Sequence, residues 1–200
     1  MTGSAAVRRS PLHGFGFPEG LREVPFLAQI NVRANPQDAR VSARFAAALG
    51  FALPTVPNTV RGDGDVYALW LGPDEWLVVG PPGAEAALEA SARAGLGDTV
   101  GSVVDVSANR TAIELWGQEA RAALETGCAI DLHPRAFGPG QCVQTLVARA
   151  GVILQQLTEE PRYRLLVRSS FAAYLAAWLC DALIAGQPRA AFPSRADGQQ

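Results

Sequence analysis

Apolar and polar residues alternate from Phe26 to Val32, the spacing of a strand that buries one face. Asn35-Pro36 then opens a predicted helix: Asn35 is a capping type, Pro36 suits a first turn, and Asp38 favours the positive end of the helix. Val41, Phe45, Ala48 and Leu49 fall on one face at helical spacing, and Gly50 supplies a left-handed stop. A proline loop runs through Pro54 and Pro57. Val66 to Leu71 and Trp76 to Val79 form a predicted hairpin, with Gly72-Pro73-Asp74-Glu75 as its turn. Ala84 to Ala94 is a predicted Ala-rich helix.

The same order returns further along. Val103 to Trp116 carries strand signals with a turn near Ala108-Asn109. Gln118 to Thr126 is a predicted helix that buries Ala120, Ala123 and Leu124 and stops at Gly127. A loop through Pro134 and Pro139 leads to predicted strands at Gln141 to Arg149, Val152 to Leu157 and Tyr163 to Val167. Ser169 or Ser170 caps a last helix, whose buried stripe is Phe171, Leu175, Trp178, Leu179, Ala182 and Leu183. Trp76-Leu77-Val78-Val79 matches Arg164-Leu165-Leu166-Val167 in pattern, and each precedes a helix of small residues. The expectation is an α+β fold of two similar βαββα-like halves, residues 21–100 and 101–186, with helices packed on antiparallel sheets. Residues 1–20 read as an N-terminal arm and residues 187–200 as a flexible tail. Phe15 and Phe17 are too apolar for a free arm, so a partner is expected to cover them.

Composition narrows the function classes. The net charge is -2, so no sequence-wide basic surface invites nucleic acid. No lysine occurs among the 17 basic residues, which excludes Schiff-base chemistry and a phosphate-loop lysine on this chain. Three cysteines, Cys128, Cys142 and Cys180, form no paired framework and point to reduced thiols in the cytoplasm. Arg8-Arg9 is followed by no apolar signal region. The longest apolar stretch, Phe171 to Gly186, is interrupted by Asp181 and is shorter than the run of about 18 needed for a membrane span.

Candidate chemistry is sparse. Ser107, His133 and Asp105 are the residue types of a hydrolytic triad, but no Gly-x-Ser-x-Gly turn exposes the serine. Cys128, His133 and Cys142 match no zinc spacing and lack a fourth ligand, so small buried roles are expected for the thiols. Gly138-Pro139-Gly140 reads as a turn into a strand and not as a phosphate cradle. Asp74-Glu75 and Glu159-Glu160 read as solvated pairs, and Asp105 and Arg110 as partners of each other. Trp70 and Trp76 are either core residues or interface anchors. No catalytic, cofactor-binding or metal-binding residue is assigned. The residues alone describe an α+β binding or assembly unit.

Several motifs in order carry a resemblance. They are Ser10-Pro11-Leu12, Gly72-Pro73-Asp74-Glu75-Trp76-Leu77, Asp105-Val106-Ser107-Ala108-Asn109-Arg110, and Gly127-Cys128-Ala129-Ile130-Asp131-Leu132-His133-Pro134-Arg135-Ala136-Phe137. Together they resemble the gamma subunit of heterotetrameric sarcosine oxidase, a relative of the glycine-cleavage aminomethyltransferase (folate-binding) fold. The resemblance implies a non-catalytic subunit that supports oxidative demethylation of sarcosine to glycine, with hydrogen peroxide and formaldehyde or methylene-tetrahydrofolate as further products. It implies alpha, beta and delta subunits as partners, chiefly alpha, with FAD, FMN, NAD, zinc and tetrahydrofolate held on those chains. Ala108 stands where the wider superfamily often has a histidine, and Arg135 to Cys142 lacks the lysine, cysteine and glutamate of related folate proteins. The alternatives are a stand-alone folate-binding module and an aminomethyltransferase-like one-carbon protein.

Overall fold

The computed structural model describes residues 8–186. The expected tail and the first residues of the expected arm lie outside the described residues. The elements in chain order are β1 (Leu21–Val24), β2 (Ala28–Ala34), α1 (Ala39–Leu49), β3 (Val60–Asp63), β4 (Val66–Gly72), β5 (Glu75–Gly80) and α2 (Glu85–Leu96). There follow β6 (Gly101–Asp105), β7 (Arg110–Trp116), α3 (Ala120–Glu125), β8 (Cys142–Val147), β9 (Ala150–Thr158), β10 (Arg162–Arg168) and α4 (Ala172–Gly186). The fold is α+β, as the periodicity predicts.

Two five-stranded sheets form, in the orders β3-β4-β5-β2-β6 and β8-β9-β10-β7-β1. Every pairing between named strands is antiparallel. The two orders repeat one pattern, and in each the last strand comes from beside the other sheet. β1 runs directly into β2 but pairs with β7; β6 runs directly into β7 but pairs with β2. The sheets are therefore tied by a reciprocal exchange of edge strands. Local alternation cannot reveal this, because it reports the face of a strand and not its neighbour.

Helices cover the outer faces. α1 and α2 bury Val41, Phe45, Leu88 and Ala92 against Ile30, Val32, Trp76 and Val78. α3 and α4 bury Ala123, Leu124, Leu175 and Leu179 against Ile113, Leu115, Leu154 and Leu165. Between the sheets lies a third cluster of Tyr67, Leu69, Leu77, Val79, Ala112, Cys142, Ile153 and Leu166. Both faces of the central strands are thus buried over much of their length, which is why β5 carries the apolar run Trp76-Leu77-Val78-Val79 and β10 the run Leu165-Leu166-Val167.

Several local expectations shift for identifiable reasons. α1 begins later than Asn35-Pro36: Asn35 Oδ1 accepts from Gln37 N–H in a turn of its own, and Asp38 caps the helix by accepting from Arg40 N–H. Gly50 is the left-handed stop, at φ 85°. Gly127 is not one; Thr126 ends α3 in a right-handed conformation, and a Cβ on Gly127 would lie 2.6 Å from Trp178 Cζ2. Glycine is needed there for close packing. Neither Ser169 nor Ser170 caps α4 directly: a 3-10 turn at Ser169–Phe171 precedes it, and Ser169 Oγ donates to the carbonyls of Ala108 and Asn109. Phe15 and Phe17 pack, half-buried, on the chain's own α3–α4 core, beside Leu12 at 4% exposure. A turn at 10–15 folds that segment back onto this core.

Candidate functional site

The second sheet carries a polar row at the seam between the sheets. Strand register places Cys142, Gln155, Arg164, Glu114 and Arg22 side by side across β8, β9, β10, β7 and β1. Glu114 is completely buried, and its oxygens accept from Arg22, Arg162 and Arg164 at 2.6–3.2 Å. Arg164 also donates to Tyr67 Oη on β4, so the network crosses from one sheet to the other. Burial alone would push the Glu114 carboxyl up, but the three guanidinium groups outweigh it and hold it down at about 2. Burial also pushes the Tyr67 hydroxyl up, against the pull of Arg164. A fully engaged carboxylate of this kind holds sheets together; it has no lone pair free for general acid–base work. No sequence expectation covers Glu114, although two signals were present. An acid stands inside the apolar run Ala112-Ile113-Glu114-Leu115, and Arg162-x-Arg164 puts two cations on one strand face.

The residues singled out by sequence take structural roles. Ser107 Oγ accepts from Gln29 N–H at 2.9 Å and donates to Asp105 Oδ1 at 2.5 Å, which pins the crossing between β6 and β7. Among the described residues His133 makes only local hydrogen bonds, with Asp131, Arg135, Ala136 and Phe137, in the loop before β8. Asp105 is engaged by Ser107, and no ion pair links it to Arg110 among the described residues. Cys142 is fully buried and donates to the carbonyls of Thr59 and Trp70, and burial pushes its thiol up to about 11. Cys128 and Cys180 are half-buried. Among the described residues, no group of three His, Cys, Asp or Glu side chains is placed to hold a metal ion. Trp76 is core, at 1% exposure, with Nε1 donating to Pro54 O at 2.6 Å; Trp70 is half-buried on the same core.

Two surfaces stand out. A cleft of about 710 Å³ lies where β7 ends beside the β9–β10 turn, lined by Trp116, Gln118, Glu159, Glu160 and Arg162 among others. Around the last helix the outward residues include Phe171, in the 3-10 turn before α4, and Tyr174 and Ile184 on α4 itself, exposed by 43%, 41% and 65%, and Asp181 is the one charged side chain of α4. No helix among the described residues is long and apolar enough to cross a membrane.

The two-sheet architecture is an aminomethyltransferase-like fold. It superposes on the glycine cleavage system aminomethyltransferase T from Bartonella henselae with a TM-score of 0.59 at 18% identity, over 80% of this chain and 45% of that one. The sarcosine oxidase gamma subunit family model matches residues 33–185. The chain is 42% identical to sarcosine oxidase subunit gamma from Corynebacterium sp. (strain P-1) and 40% identical to that from Arthrobacter sp., in each case over 90% of this chain and 92% of the relative. It matches a chain of the heterotetrameric sarcosine oxidase from Corynebacterium sp. U-96, in complex with pyrrole 2-carboxylate, with a TM-score of 0.82 at 35% identity. That match covers 92% of this chain and 99% of the other. The chain belongs to the sarcosine oxidase gamma subunit family.

Proposed function

We propose that this chain is the gamma subunit of a cytoplasmic heterotetrameric sarcosine oxidase and contributes no catalytic residue of its own. The observation that carries this reading is 42% identity to a gamma subunit over 90% of the chain. The chain's polar groups support it. Glu114, Asp105, Ser107 and Cys142 are each consumed by internal hydrogen bonds or ion pairs that fasten the two sheets. The exposed apolar side chains of α4 are of the kind that other subunits cover.

In this reading the chain packs chiefly on the alpha subunit, and the beta and delta subunits complete the assembly. Those chains hold FAD, FMN, NAD, zinc and tetrahydrofolate. The assembly oxidises the N-methyl group of sarcosine, leaving glycine; oxygen is reduced to hydrogen peroxide. The one-carbon unit leaves as formaldehyde, or as methylene-tetrahydrofolate when tetrahydrofolate accepts it. A stand-alone folate module needs an open space between the sheets and a carboxylate free to meet the pterin. Leu69, Leu77, Cys142 and Leu166 fill that seam, and Glu114 is already met by three arginines.

The test is turnover. The purified chain alone, given sarcosine and oxygen, is expected to release no hydrogen peroxide, while the assembly that contains it does. Sarcosine-dependent peroxide from the isolated chain overturns the reading.

A further inference from the structure

Many of the described arginines meet a carboxylate. Arg33 meets Asp74, Arg40 meets Asp38, Arg44 meets Asp98, Arg93 meets Glu89, and three meet Glu114. Arg110 and Arg168 are among those that do not, and they differ from the others in facing each other. They are register partners at one end of the β7–β10 pair, so two guanidinium groups stand directly opposite each other. Like charges in that position destabilise a sheet. Among the described residues neither side chain makes an ion pair or a hydrogen bond, although Arg110 is half-buried. Burial and Arg168 together push Arg110 below its ordinary range, and Glu75 opposes them only weakly.

The pair stands at the rim of a groove of about 400 Å³ on the inner face of the second sheet, at the end where the first sheet no longer covers it. Gly151 and Ile153 lie along the groove, with Gln144 and Leu146 on the edge strand β8. Leu146 is 52% exposed although its face is the one that Cys142 buries further along the same strand. The groove thus offers the exposed side chain of Leu146 beside two cations that make no ion pair among the described residues. It is open and shallow, the shape that suits a protein segment better than a small ligand.

We propose that this groove is where an acidic segment of another subunit docks, with its carboxylates on Arg110 and Arg168 and an apolar side chain on Leu146. The inference rests on the subunit reading above. Charge complementarity selects the occupant. Residues 1–7 hold no acid, and residues 187–200 hold one aspartate against two arginines, so neither of these segments matches the charge of the pair.

The test is full-length chain carrying Arg168→Glu, co-expressed with the other subunits and titrated against them. Placed opposite Arg110, the new carboxylate relieves the like-charge pair, so the variant is expected to melt no lower than wild type. Its affinity for the assembly is nonetheless expected to fall about tenfold or more, and wild-type affinity to weaken as salt rises. Arg149→Glu, at the exposed β8–β9 turn, is expected to leave affinity unchanged. A stable Arg168→Glu chain that assembles with wild-type affinity overturns the inference and leaves the subunit reading intact. So does a variant whose only defect is in self-association, since the occupant is then a second copy. A wild-type chain that never joins the other subunits overturns both.

Discussion

Replacing Glu114 with glutamine removes the charge that three arginines share while keeping the shape of the side chain. Glu114 is completely buried, and Arg164 is only 17% exposed, so water replaces little of what is lost. Two estimates of the cost agree. The carboxyl is held at about 2 instead of the ordinary 4.5, which corresponds to about 3 kcal/mol. Removing one partner of a buried ion pair costs about 3–5 kcal/mol in general. For a chain of 200 residues this lowers the melting temperature by about 6–12 °C. The assay is urea denaturation followed by tryptophan fluorescence and far-ultraviolet circular dichroism. The sign with pH follows from the depressed value: the contribution is fully present above the ordinary carboxylate range and is lost as pH falls through 4.5 towards about 2. Wild type and Glu114→Gln are therefore expected to differ most near neutral pH and to converge in strong acid. A difference below about 0.5 kcal/mol near neutral pH would refute the claim that this network fastens the sheets.

Three further outcomes are expected. Ser107→Ala leaves the buried Gln29 N–H without its acceptor and costs about 1–3 kcal/mol in a denaturation curve, while turnover per flavin in the assembly stays at the wild-type value; a loss of turnover in folded protein would give Ser107 a chemical role. Gly127→Ala drives a methyl to 2.6 Å from the Trp178 ring and costs about 1–3 kcal/mol, so an unchanged melting temperature would contradict the packing described. An aromatic disulfide reagent is expected to reach the half-buried Cys128 and Cys180 well before Cys142, whose thiol is fully buried and raised to about 11. Equal rates for all three would contradict the burial of Cys142.

What was legible in the sequence and what was not divide along physical lines. Periodicity located the helices and most strands, because a 3.6-residue or two-residue repeat is a property of one segment alone. Hydrophobic Val41 and Phe45 predicted the buried face of α1, and Gly50 its end, since both effects act within a few residues. The exchange of β1 and β6 was invisible, because pairing partners are fixed by contacts far apart in sequence. The same limit separated Asp105 from Arg110 and joined Ser107 to Gln29, which lies 78 positions away. Short β1 and β3, four residues each, gave too little alternation to be noticed. Glu114 was readable as an anomaly, an acid in an apolar strand, but not as a site, because its cations come from β1 and β10. The family was legible through the order of short motifs, none of which carries chemistry by itself.

The central claim is that this chain is a structural subunit of a larger oxidase. The most direct test is co-expression with the other sarcosine oxidase subunits, followed by size exclusion and a flavin spectrum of the peak that contains this chain. The account predicts co-elution in a yellow complex that oxidises sarcosine. A colourless chain that elutes alone, while the remaining subunits form an active oxidase without it, would contradict the account.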